Sequence, residues 1–180
     1  MEIDDRELVT RALAGSTDDF RVLVERHQQS IFRFALRLVG NWGEAEDVTQ
    51  ETFLAAFANL SRYDSSRAAW STWLFTIARN RCFNLLKHRR TIALNELDSI
   101  ADVAPTDPIA SQELSQQLDR ALASLPVEQR SAFVLAEIEQ LPYAEIARIE
   151  RTSIGTVKSR IHRAKQRLQS LLEPIMRETK

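Results

Sequence analysis

The sequence predicts an all-α chain built as two small helical domains joined by an extended acidic linker, the C-terminal domain containing a helix-turn-helix. Apolar residues recur at spacings of three and four along most of the 180 residues, the signature of helix faces. No alternating polar–apolar run of five or more residues marks a convincing strand. Between positions 91 and 112 the helical spacing stops: "TIALNELDSIADVAPTDPIASQ" holds Pro105 and Pro108, with Glu96, Asp98, Asp102 and Asp107 and no basic side chain. Prolines, acids and small polar residues at that density read as linker. The predicted division is therefore 1–90, a linker over 91–112, and 113–180.

In the first domain, "DDFRVLVERHQQSIFRFALRLVG" puts Phe20, Leu23, Val24, His27, Ile31, Phe34, Ala35 and Leu38 on one helix face, with Gly40 and Asn41 as its stop. His27 on that face reads as a core histidine. A second helix over roughly 44–60 carries Val48, Phe53, Ala56, Phe57 and Leu60 inward. A third, over roughly 68–88, presents Trp70, Trp73, Leu74, Ile77, Ala78, Leu85 and Leu86. The second domain opens on the amphipathic "SQELSQQLDRALASL". Pro126 and Pro142 are expected in first turns, where a missing N–H costs nothing. Helices follow near 127–139, 142–149 and 153–172, the last capped by Ser153.

Composition excludes several classes. No apolar run approaches the about 20 residues that cross a bilayer. The N-terminal "MEIDDRELVTRALAG" is acidic where a signal peptide is basic, which points to the cytoplasm. A single cysteine, Cys82, leaves no internal disulfide and no cysteine metal cluster, and reads as a small buried thiol. His27, His88 and His162 lie far apart without metal-ligand spacing, and there is no glycine-rich phosphate loop. Nothing argues for catalysis, and no metal or cofactor is called for. Charge, by contrast, is segregated: residues 1–60 carry net −5, 61–90 net +6, 91–150 net −8 and 151–180 net +6, within a chain of net −1. Only the two basic blocks suit a polyanion.

The second basic block has the form of a helix-turn-helix: "LPYAEIARIE", then "RTS", then "IGTVKSRIHRAKQRL". Val157, Ile161, Ala164 and Leu168 share one face of the longer helix and are expected to pack on Ile146, Ala147 and Ile149. Lys158, Ser159, His162, Arg163 and Gln166 then point away together. Such side chains read base edges in a major groove, while Arg160, Lys165 and Arg167 flank them for phosphates. The competing reading is a merely solvated basic face, which spacing, caps, apolar register and missing acids together disfavour.

"AEDVTQETFLAAFANLSRYD" followed by "WSTWLFTIARNRCFNLLKHRR" resembles the core-binding and promoter-melting segment of bacterial sigma factors. "LASLPVEQRSAFVLAEIEQLPYAEIA" with "GTVKSRIHRAKQRL" resembles their C-terminal promoter-binding domain. The likeness covers about residues 7–175, and the two-domain layout looks like the extracytoplasmic-function class. It implies a transcription initiation factor with core RNA polymerase (its β′ clamp helices and β flap), promoter DNA and an anti-sigma factor as partners, and no membrane insertion.

By that resemblance Glu46, Asp47, Gln50, Glu51 and Leu54 dock on the β′ clamp helices. Asp47 and Glu51 are like charges four apart, costing an isolated helix about 0.2–0.5 kcal/mol, which a basic partner would offset; a solvated acidic face explains them equally. Recognition and melting of the −10 element would fall to Arg62, Asp64, Arg67, Trp70, Asn80 and Arg81, with Arg79, Lys87, Arg89 and Arg90 on phosphates. An unstacked base needs an aromatic surface or a pocket; Trp70 is the better candidate, since the spacing of Trp73 with Leu74 and Ile77 says core. The −35 element would be read by Arg151, Thr156, Lys158, Ser159, Arg160, His162, Arg163 and Arg167. The linker is similar in place and charge to the family segment that threads the RNA-exit path, a disordered tether being the equal alternative. Many relatives carry an apolar residue and then glycine at the start of the helix-turn-helix turn, where this chain has Glu150 and Arg151, leaving the recognition helix's angle open. The rival to a sigma factor is a two-domain regulator that binds duplex DNA unaided; the first domain lacks the strand–helix alternation of a receiver.

Overall fold

The computed structural model describes residues 3–95 and 113–178. The described residues are helical with no strand. Helix α1 (Asp5–Leu13), which periodicity did not mark, starts with acids in its first turn, where the helix dipole favours them. Helix α2 (Thr17–Val39) is capped by Ser16, whose Oγ accepts from the Asp19 N–H. It ends at Gly40, whose left-handed backbone (φ 70°, ψ 14°) lets its N–H reach the Leu36 carbonyl at 2.8 Å. Asn41 Oδ1 then accepts from the Glu44 N–H at 3.0 Å and starts α3 (Trp42–Ala58). A short 3-10 turn over Leu60–Arg62 leads to α4 (Trp70–Asn95). Helix α4 thus runs through 91–95, where the linker was expected to begin. That stretch lacks a breaker, since the prolines come only at 105 and 108. The rest of the expected linker, 96–112, lies outside the described residues.

The second domain comprises α5 (Glu113–Ala123), α6 (Val127–Phe133), α7 (Tyr143–Glu150) and α8 (Ile154–Glu178). The single helix expected over 127–139 is instead α6 followed by a π-helical turn at Val134–Ile138. Pro126 and Pro142 sit one residue before their helices, in the capping position, and their carbonyls accept the first N–H groups. Ser153 caps α8 as expected, Oγ accepting from the Thr156 N–H at 3.1 Å.

One apolar cluster runs through both domains, from Leu8 and Leu23 through Phe34 and Leu74 to Leu135, Ile146, Ile149, Val157 and Ile161. Ala164 and Leu168 do not join it. They pack on Ala121 and Leu122 of α5 and on Leu125 in the turn that follows it, a correction to the expected α7 contact, because α8 outruns the eight-residue α7 and α5 with its turn covers the remainder. Polar ties cross between the domains: Arg33 to Glu139 at 3.1 Å, Arg130 to the Leu38 carbonyl at 2.8 Å, and Thr72 to Glu145.

Candidate nucleic-acid interface

On the outer face of α3, Glu46, Asp47, Gln50, Glu51 and Leu54 are all exposed, Leu54 by 69%. Glu46 accepts from the Trp42 indole N–H at 3.0 Å, and Glu51 pairs with Arg81 of α4. Beside this acidic face, α2 and α3 leave a groove of about 530 Å³ lined by Phe20, Val24, Phe53, Leu54 and Phe57, with Gln50 at its edge. Phe57, expected inward, is 51% exposed, and its ring meets Phe20 edge-on at 4.9 Å. Helical spacing marks an apolar face but not whether a neighbour covers it, which is why the groove escaped the sequence. Leu54 and Phe57, three apart and both apolar, were its legible trace.

Arg62, at the end of the 3-10 turn, and Asp64 and Arg67, in the loop that leads on to α4, are exposed. The Asp64 carboxylate accepts from the Ser66 hydroxyl and the Ser66 N–H at 2.6 and 2.9 Å, bonds that hold its pKa below the ordinary carboxylate range. Tyr63 donates its hydroxyl to the Ala68 carbonyl at 3.0 Å and lays its ring against Trp70 and Trp73, centroids 5.1 and 5.3 Å away; burial pushes its pKa up.

Trp70 is a correction: it is 2% exposed, while Trp73 is only half-buried, so the better-exposed indole is the one assigned to the core. The Tyr63–Ala68 bond folds the loop over the start of α4 and seals Trp70 against Phe20. Its indole N–H finds no acceptor among the described residues.

Further along α4, Asn80 is half-buried and accepts from Arg79 at 3.4 Å. The Arg79 guanidinium lies 3.7 Å over the Phe83 ring and reaches Glu150 of α7. Arg81 is 34% exposed in its pair with Glu51. Lys87 and Arg90 are exposed. Arg89, expected on phosphate, instead donates to Glu44 and to the Val39 carbonyl, each at 3.0 Å, tying α4 to the end of α2.

On α8, Lys158, Ser159, His162, Arg163 and Arg167 are exposed, opposite buried Val157, Ile161, Ala164 and Leu168. Thr156 is half-buried against Ser153, their hydroxyls 2.9 Å apart. Lys165 is not a free phosphate ligand: it pairs with Glu137 at 2.8 Å, a bond that raises its pKa. Arg160 also departs from expectation, turning back to Glu150 at 3.1 Å. Arg151, exposed at the turn, takes the left-handed conformation itself (φ 51°, ψ 48°), so the turn forms without glycine. Glu150 is buried at 5% exposure.

The chain matches the family described as Sigma-70 region 2 over residues 23–92 and that described as Sigma-70, region 4 over residues 115–168. It is 32% identical over 188 residues to the ECF RNA polymerase sigma factor SigW of Bacillus subtilis (strain 168), covering 97% of this chain and 100% of that protein. It is 32% identical over 189 residues to the ECF RNA polymerase sigma-E factor of Escherichia coli (strain K12), covering 98% of each. Among solved structures, the sigma factor RpoE from Bartonella quintana, in complex with the anti-sigma factor NepR, aligns at a TM-score of 0.78 and 30% identity over 87% of this chain and 98% of that one. CnrH, in complex with the cytosolic domain of CnrY, aligns at 0.74 and 28% identity over 94% and 97%.

Proposed function

The chain belongs to the extracytoplasmic-function sigma factors, and from that premise we propose how its surfaces divide the work of a transcription initiation factor that binds core RNA polymerase and directs it to promoters. The first domain, residues 1–90, docks on the β′ clamp helices through Glu46, Asp47, Gln50, Glu51 and Leu54. The apolar groove beside them receives side chains of the partner, and the acidic face steers its basic ones. The 62–67 loop, with Asn80 and Arg81, takes the −10 element, and Trp70 becomes available to a flipped base only if Tyr63 lifts with the loop. The linker 91–112 joins this to residues 113–180, where Lys158, Ser159, His162 and Arg163 read −35 base edges while Arg151 and Arg167 hold phosphates.

The observation that carries this reading is the segregation on α8 over residues 157–168: the exposed Lys158, Ser159, His162, Arg163 and Arg167 are polar or basic, and the opposite Val157, Ile161, Ala164 and Leu168 are apolar and buried. An anti-sigma factor is the expected controller. RpoE and CnrH, solved with such partners or a cytosolic partner domain, align over both domains at once, which supports a partner that binds the two domains packed together as they are here. The chain works in the cytoplasm and carries no reaction of its own.

The test is run-off transcription with sigma-free core RNA polymerase on genomic fragments. Discrete start sites that appear only with the chain present are expected. If core gains no initiation and does not bind the chain, the reading fails and α8 belongs to a regulator that binds duplex DNA unaided.

A further inference from the structure

Glu150 occupies a place where a glutamate is out of character. It ends α7, its side chain is 0% exposed, and Ile146 and Ile149 of the same helix are buried with it. Its Oε1 accepts from the hydroxyl of Ser131 in α6 at 2.5 Å, and its Oε2 accepts from Arg160 Nη1 in α8 at 3.1 Å. Arg79 of α4 adds a longer contact, 3.4 Å to the same Oε2. One carboxylate at the end of α7 therefore ties that helix to both α6 and α8 of the DNA-reading domain. The Arg79 contact comes from the first domain, so the Ser131–Glu150–Arg160 set is complete without it.

A buried carboxylate is a poor way to gain stability: an apolar side chain of the same size commonly serves as well or better. What a carboxylate with fixed donors supplies is direction, because its bonds hold only at one geometry. That direction matters at this turn. Arg151 closes it in a left-handed conformation that a non-glycine residue keeps only when its surroundings dictate it. Arg160 also lies within two positions of Lys158, Ser159 and His162, so whatever fixes its side chain fixes how those neighbours are presented.

We propose that Glu150 is the positioning residue of the reading helix: through Arg160 and Ser131 it sets the rotation and tilt of α8, and it withdraws Arg160 from phosphate binding. This rests on α8 being the helix that reads the promoter. The carboxylate acts through Arg160 and touches no base.

The experiment uses holoenzyme reconstituted from core polymerase and the full chain. It measures affinity for a promoter fragment and for the same fragment with a scrambled −35 element, across a salt series. Glu150→Leu, Glu150→Gln and Arg160→Met are compared with the unaltered chain, with thermal unfolding as the control for folding. Folded Glu150→Leu and Arg160→Met are expected to lose about tenfold of the −35 discrimination, the size of one lost base contact; the salt slope stays unchanged in Arg160→Met and steepens by up to about 0.9 in Glu150→Leu, where Arg160 is released to phosphate. Glu150→Gln, which keeps acceptor capacity toward Arg160, is expected to recover part of that loss. Unchanged discrimination in folded Glu150→Leu overturns the proposal. So does an Arg160→Met variant that weakens both fragments equally and lowers the salt slope by about 0.9, the mark of one phosphate contact. Should Glu150→Leu fail to fold, the slope and selectivity of Arg160→Met decide alone. An unaltered holoenzyme that shows no −35 discrimination at all would overturn the promoter-reading role of α8, and this inference with it.

Discussion

Arg130 in α6 donates through Nη1 to the carbonyl of Leu38 in the last turn of α2, at 2.8 Å, joining the second domain to the first. Its Nη2 donates to the carbonyls of Ala123 and Leu125 at 2.7 and 3.1 Å. Helix ends leave carbonyls without intrahelical partners, and one guanidinium serves the ends of two helices here. Burial holds its pKa below the ordinary arginine range. Replacing Arg130 by Met strips three carbonyls of their donor at once. We expect a loss of about 2–4 kcal/mol, read as a lower midpoint in urea unfolding. A loss below about 0.5 kcal/mol would mean that water replaces the bonds without cost.

The exposed Leu54 and Phe57 separate docking from folding. Leu54→Ala is expected to weaken core-polymerase binding about tenfold or more, as a central apolar anchor does, while changing stability by no more than about 0.5 kcal/mol. Fluorescence anisotropy against core polymerase, with an unfolding curve beside it, checks both halves.

Lys158→Ala and Arg163→Ala should each cost about 1–3 kcal/mol at particular −35 positions and little elsewhere. Arg167→Ala should weaken all sequences alike and flatten the salt dependence by about 0.9 in slope. Competition binding with single-base −35 variants tells the two patterns apart.

Cys82 is fully buried, and burial pushes its thiol from 9.0 up to about 12. A folded pKa above the unfolded one means that the neutral thiol favours the fold. That contribution is whole below pH 9 and is lost as pH rises toward 12. Native chain at pH 8 should therefore resist alkylation, with modification following global unfolding. Rapid labelling of the folded chain would contradict the burial.

Much of the architecture was legible because helix faces and caps are local: Ser153, Gly40 and the apolar registers of α2 and α8 need only near neighbours to act. What was not legible depends on partners distant in sequence. Arg89, Lys165 and Arg160 look like phosphate ligands along the chain, yet Glu44, Glu137 and Glu150 from other helices claim them. Trp70 and Trp73 were exchanged for the same reason: which indole is sealed depends on a loop laid back over α4 by the Tyr63–Ala68 bond. Helix α1 went unmarked because Leu8, Val9 and Ala12 are too few to show a period.

Trp70 has one more consequence. At 2% exposure, edge-on to Phe20 and Tyr63, its indole is shielded from solvent in an aromatic setting, where blue-shifted emission is expected. Lifting the 62–69 loop would admit water to that ring and shift its emission to the red. The protein thus carries an unlabelled optical gauge at the place where promoter strands would part, readable in a stopped-flow mixing experiment on the timescale of strand opening itself.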